Sequence, residues 1–246
     1  SQTMPAGYLG AFTSDRLALL VDEAGGTLVR TPRYDMNDNL QSRRITSTLG
    51  EDGTLQMVAN TRYSALQQDG VHEMLHQLSR EKVNDYLHQQ FDLATYDINS
   101  FAYNEDKTRI PSIDETIDVA VRSYATVTGK RIFINPNIIT RSQQQPTTTG
   151  TRKYDIELGS GYADNDTVEV ILPVGYAIES LPPAVSVQSV FGKYDASAEL
   201  KGNRLTYYRQ LQHRGGRFSS GDFNELVRFY DAIYKSDRSV VVLVRN

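Results

Sequence analysis

The chain has no cysteine and no tryptophan in 246 residues. Without a thiol it cannot carry a cysteine nucleophile, a cysteine zinc site or an internal disulfide. No apolar run approaches the roughly 20 residues that a membrane-spanning helix needs. The net charge is −4 and no basic cluster stands out, which argues against nucleic acid as a partner. The chain starts without an initiator Met, so the lack of a recognisable signal peptide decides nothing.

What is present is ordinary for a folded domain: 39 % hydrophobic and 23 % charged residues, enough for one large or two modest cores. Fifteen tyrosines suit half-buried pleated surfaces and point to a β-rich fold. Leu17–Val21 and Thr27–Arg30 read as a hairpin turning at residues 23–26, and residues 40–49 and 55–66 as a second. In the latter, Leu55, Met57, Ala59, Thr61 and Tyr63 alternate with polar neighbours, the pattern of a sheet with one buried face. Further strands are expected at 96–103, 113–127, 131–135, 154–158, 167–172, 185–188, 194–201 and 204–212. The unbroken apolar run 240–244 suits a strand buried on both faces. The polar stretch 141–152 reads as a long hairpin tip or a sub-boundary.

Two helical regions interrupt the strands. Residues 68–92 read as a helical pair broken at Ser79, which can cap the second helix, with Leu78 and Val83 as its hydrophobic staple. Near 223–236 a helix is expected with Asp222 as N-cap and Glu225 closing a capping box. Phe223, Leu226, Val227, Tyr230, Ile233 and Tyr234 form its apolar stripe. Strand runs with few helices and no βαβ alternation imply a mainly β (α+β) chain, an antiparallel sandwich-like architecture.

One string suggests chemistry. His72-Glu73-Met74-Leu75-His76 matches the H-E-x-x-H zinc motif, in which His residues four apart on a helix ligate zinc and the glutamate acts as base. A zinc metallopeptidase with ligands His72 and His76 and base Glu73 is therefore the alternative function. Against it, Val71, Met74, Leu75 and Leu78 form the apolar stripe, so His72, Glu73 and His76 are expected on a solvated face. His72 also falls in the first turn, and Ser79 and Lys82 stand where an extended motif needs Gly and His. Glu81, Glu105 and Glu115 are the available third ligands. A calcium loop at Asp35, Asn37 and Asn39 fails because Leu40 and Thr46 replace the required Gly and Glu, and Asp164 and Asp166 fail likewise. The reading is no catalytic residue, no cofactor and no metal.

Six segments together carry a resemblance: PAGYLGAFTSDR (5–16), GGTLVRTPRY (25–34), QLSREKVNDYL (77–87), YATVTGKRIFINP (124–136), LPVGYAIESLPPAVSVQSVFGKY (172–194) and GRFSSGDFNELVRFYDAIYKSDR (216–238). They resemble the C-terminal β-rich domain of unknown function in bacterial secreted transglutaminase-like proteins. The resemblance implies that residues 1–35 are the exit from an upstream papain-type core and that 36–246 are the β-rich domain. It implies a Cys-His-Asp triad upstream, so no triad residue carries over to this chain. It further implies a non-catalytic accessory module in the periplasm or at the cell surface, with the upstream core as partner and a surface polymer or protein as a further one.

Overall fold

Alternation of inward and outward side chains along paired strands sets the frame. The computed structural model describes residues 3–147 and 152–246. A short helix, α1 (Gly10–Thr13), precedes the hairpin of β1 (Leu17–Asp22) and β2 (Gly25–Arg30). Next come β3 (Leu40–Leu49) and β4 (Leu55–Ser64), joined by a tight turn at Gly53. Gly53 has φ +83°, and a Cβ there would sit 2.5 Å from the Ala125 carbonyl oxygen, so the turn requires glycine. A 3₁₀ turn (Ala65–Gln68) leads into α2 (Asp69–Gln77) and α3 (Arg80–Gln90).

The chain then forms β5 (Tyr96–Asp106), β6 (Ser112–Val121), β7 (Thr126–Thr128), β8 (Arg131–Ile134), β9 (Ile156–Leu158) and β10 (Tyr162–Ile171). It ends with β11 (Tyr176–Ser180), β12 (Val185–Ser189), β13 (Gly192–Lys201), β14 (Arg204–His213), β15 (Gly216–Phe218), α4 (Phe223–Ser236) and β16 (Val241–Arg245). The mainly β expectation holds. Of the expected loop at 141–152, residues 148–151 lie outside the described residues.

Eight strands make one large sheet in the order β12-β13-β14-β10-β3-β4-β6-β5, and β11-β16-β8-β7 make a smaller one. The large sheet draws strands from both sides of residues 141–152. All of its pairings are antiparallel except β3 with β10, which run parallel, a departure from the purely antiparallel expectation. One continuous apolar cluster joins the two sheets and the helices. It takes in Ile45, Leu55, Val119, Val168 and Leu205 of the large sheet, Ile132 and Leu243 of the small one, and Phe229 and Ile233 of α4. The opposite face of the large sheet is polar, with Arg44, Arg62, Asp114, Thr116 and Glu169 outward.

The helical pair breaks where its sequence says it should. Ser79 has extended backbone and its hydroxyl accepts the Lys82 amide at 3.4 Å, while Val83 is buried. We expect Ser79→Ala to cost about 0.5–1 kcal/mol, because a long cap bond contributes at the low end of the range. Urea unfolding with an unchanged midpoint would show that the staple alone starts α3. At α4 the expected capping box does not form. Asp222 lies in a 3₁₀ turn with helical backbone and makes no side-chain cap bond, and Ser219 accepts the Gly221 amide instead. Glu225 instead accepts the Val190 amide at 2.9 Å, a tertiary contact. Strand β16 is buried on one face and half-buried on the other, milder than the two-faced burial expected of its apolar run.

Candidate functional site: a His-His-Glu cluster, a buried charge row and an exposed hairpin

Helix α2 lays its apolar stripe on the core, with Met74 buried and Val71, Leu75 and Leu78 packed against it. The wheel puts His72, Glu73 and His76 off that stripe; Glu73 and His76 are exposed as expected, whereas His72 is buried with only 6 % exposure, a correction at that residue. Two elements distant in sequence cover this side: the N-terminal segment and the end of the edge strand β5. The His72 and His76 rings lie 4.2 Å apart, as an i, i+4 pair should. Both converge on Glu105 of β5: His72 Nδ1 is 2.7 Å and His76 Nε2 is 2.9 Å from the same Oε1. The other nitrogen of His72 meets the Thr3 hydroxyl at 2.8 Å. Lys107 Nζ lies 3.3 Å from Glu105 Oε2. Burial pushes the Glu105 carboxyl up, but the bonds from His76, His72 and Lys107 outweigh it and hold the group below its ordinary range.

The two histidines line a cleft of about 950 Å³ between residues 3–12 and α2, and Glu73 lines the same cleft. Glu73 is exposed and accepts a bond from Gln77 one turn on, at 2.9 Å. The cleft wall is tied down by Asp69, which accepts from the Tyr8 hydroxyl at 2.6 Å and the Ala11 amide at 3.0 Å. Of the third ligands open to the motif, the fold brings Glu105 to the pair. Glu115 instead bonds to Tyr63, and Glu81 lies in the first turn of α3.

A second feature escaped the sequence reading. The strand registers align Arg209, Asp166, Arg43, Thr61, Glu115 and Tyr103 in one row across five neighbouring pairs of the large sheet, all on the inner face. Arg209 Nη1 donates to Asp166 at 3.1 Å, and its Nε and Nη2 grip Asp237 at 2.8 and 3.2 Å. Arg43 Nη1 faces Asp166 Oδ1 at 3.8 Å, and its other nitrogens donate to Thr61 and Tyr63. Asp237, just past α4, also accepts from Tyr194, Asn137 and the Ser142 amide. Arg209, Asp166 and Asp237 are all buried. Burial works against the Arg209 charge, but Asp237 and Asp166 outweigh it and raise its pKa. Burial pushes the Tyr63 phenol up to about 12. The row fastens the end of α4 and the 135–142 loop to the sheet. Its signal in sequence was the phase: each charged residue stands two positions from a buried apolar one, as Arg43 from Ile45 and Asp166 from Val168.

The third feature is the β1–β2 hairpin. Leu17, Leu19, Val21 and Leu28 share one face by register, and Leu20 lies on the other. All five are 54 to 72 % exposed. The hairpin is thus an apolar two-stranded ribbon open to water.

These features define a β-rich α+β domain. Residues 130–243 match the family model described as a domain of unknown function with a solved structure, DUF3858. The match runs from β8 into β16, takes in Asp166, Arg209 and Asp237, and leaves the His-His-Glu cluster outside it. No curated protein matches the chain. Among solved structures it is similar to a protein from Parabacteroides distasonis described as a "putative protease", at 7 % identity and a TM-score of 0.35. That likeness covers 85 % of this chain and all of the other, and is too loose to carry a function across. Among the described residues no helix is long and apolar enough to cross a membrane.

Proposed function

We propose that the chain is a non-catalytic accessory module of a secreted, extracytoplasmic transglutaminase-like protein, and that it packs on the papain-type core preceding it. The observation that carries this reading is the bare apolar hairpin at residues 17–30, within the segment that resembles the exit from such a core. A two-stranded ribbon is marginal alone in water, and a partner surface that buries its leucines removes the penalty. The DUF3858 match to residues 130–243 is consistent with this assignment and names no activity.

The zinc-peptidase alternative has less support. Glu73, the required base, is engaged with Gln77 on the exposed side of α2.

The test is the affinity between this chain and the upstream core supplied as a separate protein, by titration calorimetry. Leu19→Asp with Leu28→Asp is expected to weaken binding at least tenfold, because two buried leucines become charges in the contact. A core that does not bind the unmodified chain would sink the proposal, as would binding that both charges leave unchanged.

A further inference from the structure

We propose that His72, His76 and Glu105 form a site for one divalent transition metal of the zinc class, clipping α2 to the edge strand β5. The inference is independent of docking to a core.

Donor chemistry comes first. Two imidazoles and a carboxylate are a zinc-type set, whereas calcium and magnesium prefer oxygen ligands alone. Geometry comes second. The three donor atoms lie within 4.8 Å of one another. A tetrahedral ion with bonds of about 2.0–2.1 Å holds its donors about 3.3 Å apart. The present separations of 2.7 and 2.9 Å therefore need to open by about half an ångström, within reach of side-chain rotation. Both imidazoles stand on consecutive turns of one helix, so their mutual placement exists before any ion arrives.

The surroundings agree. A ligating histidine is normally oriented by a partner on its other ring nitrogen, and Thr3 occupies that place on His72. The hydroxyl can accept as readily as donate, so it can hold the Nε2–H tautomer that frees Nδ1 for the ion. His76 and Glu105 keep 32 % and 22 % side-chain exposure, so the ion can enter and water can complete its shell. Lys107 opposes binding, since its ammonium competes for Glu105 Oε2. Glu73 accepts from Gln77 and is not one of the three donors.

The experiment is titration of Zn²⁺ into metal-stripped protein by calorimetry, with the visible spectrum of the Co²⁺ form as second readout. One ion per chain and the intense bands of tetrahedral Co²⁺ are expected. Glu105→Gln, nearly isosteric, and His76→Ala should each weaken binding on the order of 100-fold, and Thr3→Val about tenfold. Glu73→Gln should leave affinity unchanged and Lys107→Ala should raise it. Circular dichroism establishes that each variant is folded, and Glu105→Gln remains decisive if His76→Ala is not. No binding by the unmodified chain overturns the proposal. So does binding that Glu105→Gln leaves intact, which would mean adventitious capture by surface histidines.

Discussion

Replacing Arg209 by Leu is expected to destabilise the fold by about 3–5 kcal/mol, the cost of breaking a buried ion pair from one side. Among the described residues the guanidinium is the only group that bonds to both Asp166 and Asp237, and the three side chains are at most 4 % exposed. Without it Asp166 keeps Arg43 at 3.8 Å, too far for a hydrogen bond, and its Oδ1 has no hydrogen-bond partner among the described residues. Asp237 keeps three neutral donors, Tyr194, Asn137 and the Ser142 amide, which do not neutralise its charge. A domain stable by about 5–15 kcal/mol loses a large part of its margin. Arg209→Lys should also be costly, because an ammonium cannot fork onto Asp237 while reaching Asp166. Adding Asp166→Asn and Asp237→Asn to Arg209→Leu should recover part of the loss, since the amides remove the stranded charges. Urea unfolding of the series measures this. A loss below about 1 kcal/mol for Arg209→Leu would mean that water reaches the row and screens it.

The same row shows where sequence reasoning succeeded and where it ended. Alternation in β4 was legible because every second residue from Leu55 to Tyr63 points to the core, and a period of two is a local property. The break at Ser79 was legible because a cap is local too. The expected strand starts at Thr167, yet Tyr162 to Asp166 already pair with β14. Asp166 could enter the strand because Arg43 and Arg209 stand beside it, and Asp164 because Gln67 donates to it; all three partners lie 43 or more residues away. The parallel β3–β10 pairing likewise joins segments more than 120 residues apart, which hairpin logic does not foresee. For His72 the wheel was right about the stripe and wrong about exposure. A wheel records one helix, and here the burial comes from Thr3 and Glu105, 69 and 33 residues away. β11 and β15 went unread because Tyr176–Ser180 and Gly216–Phe218 are short and punctuated by glycine or proline.

Asp164→Asn is expected to stabilise the protein at pH 8 and to have no effect near pH 4. Burial pushes the Asp164 carboxyl up to about 6, and Gln67, donating at 2.8 Å, only partly offsets it. The charges facing it come from three strands. Asp166 on its own strand raises the pKa further, while Arg209 of β14 and Arg43 of β3 lower it; Tyr162, two residues back, stays neutral because burial and Asp164 itself raise its phenol. The sign follows from where the proton is held more tightly. The folded pKa lies above the ordinary aspartate value, so the folded state binds the proton better. Above about pH 6 both states are ionised and the folded state carries the full desolvation penalty. As pH falls from 6 towards 3.8 the folded carboxyl protonates first and the penalty disappears. The rise from 3.8 to about 6 corresponds to at most about 3 kcal/mol, and partial exposure of the group reduces that to about 1–2 kcal/mol. Asparagine removes the charge and keeps an oxygen to accept from Gln67, so the variant should lead by that amount at pH 8. The difference between variant and parent should shrink through the window from pH 6 to pH 4, which isolates this group from every other titration in the molecule. A difference that stays flat with pH would mean that the Asp164 carboxylate is solvated and that the polar end of the inner face is open to water.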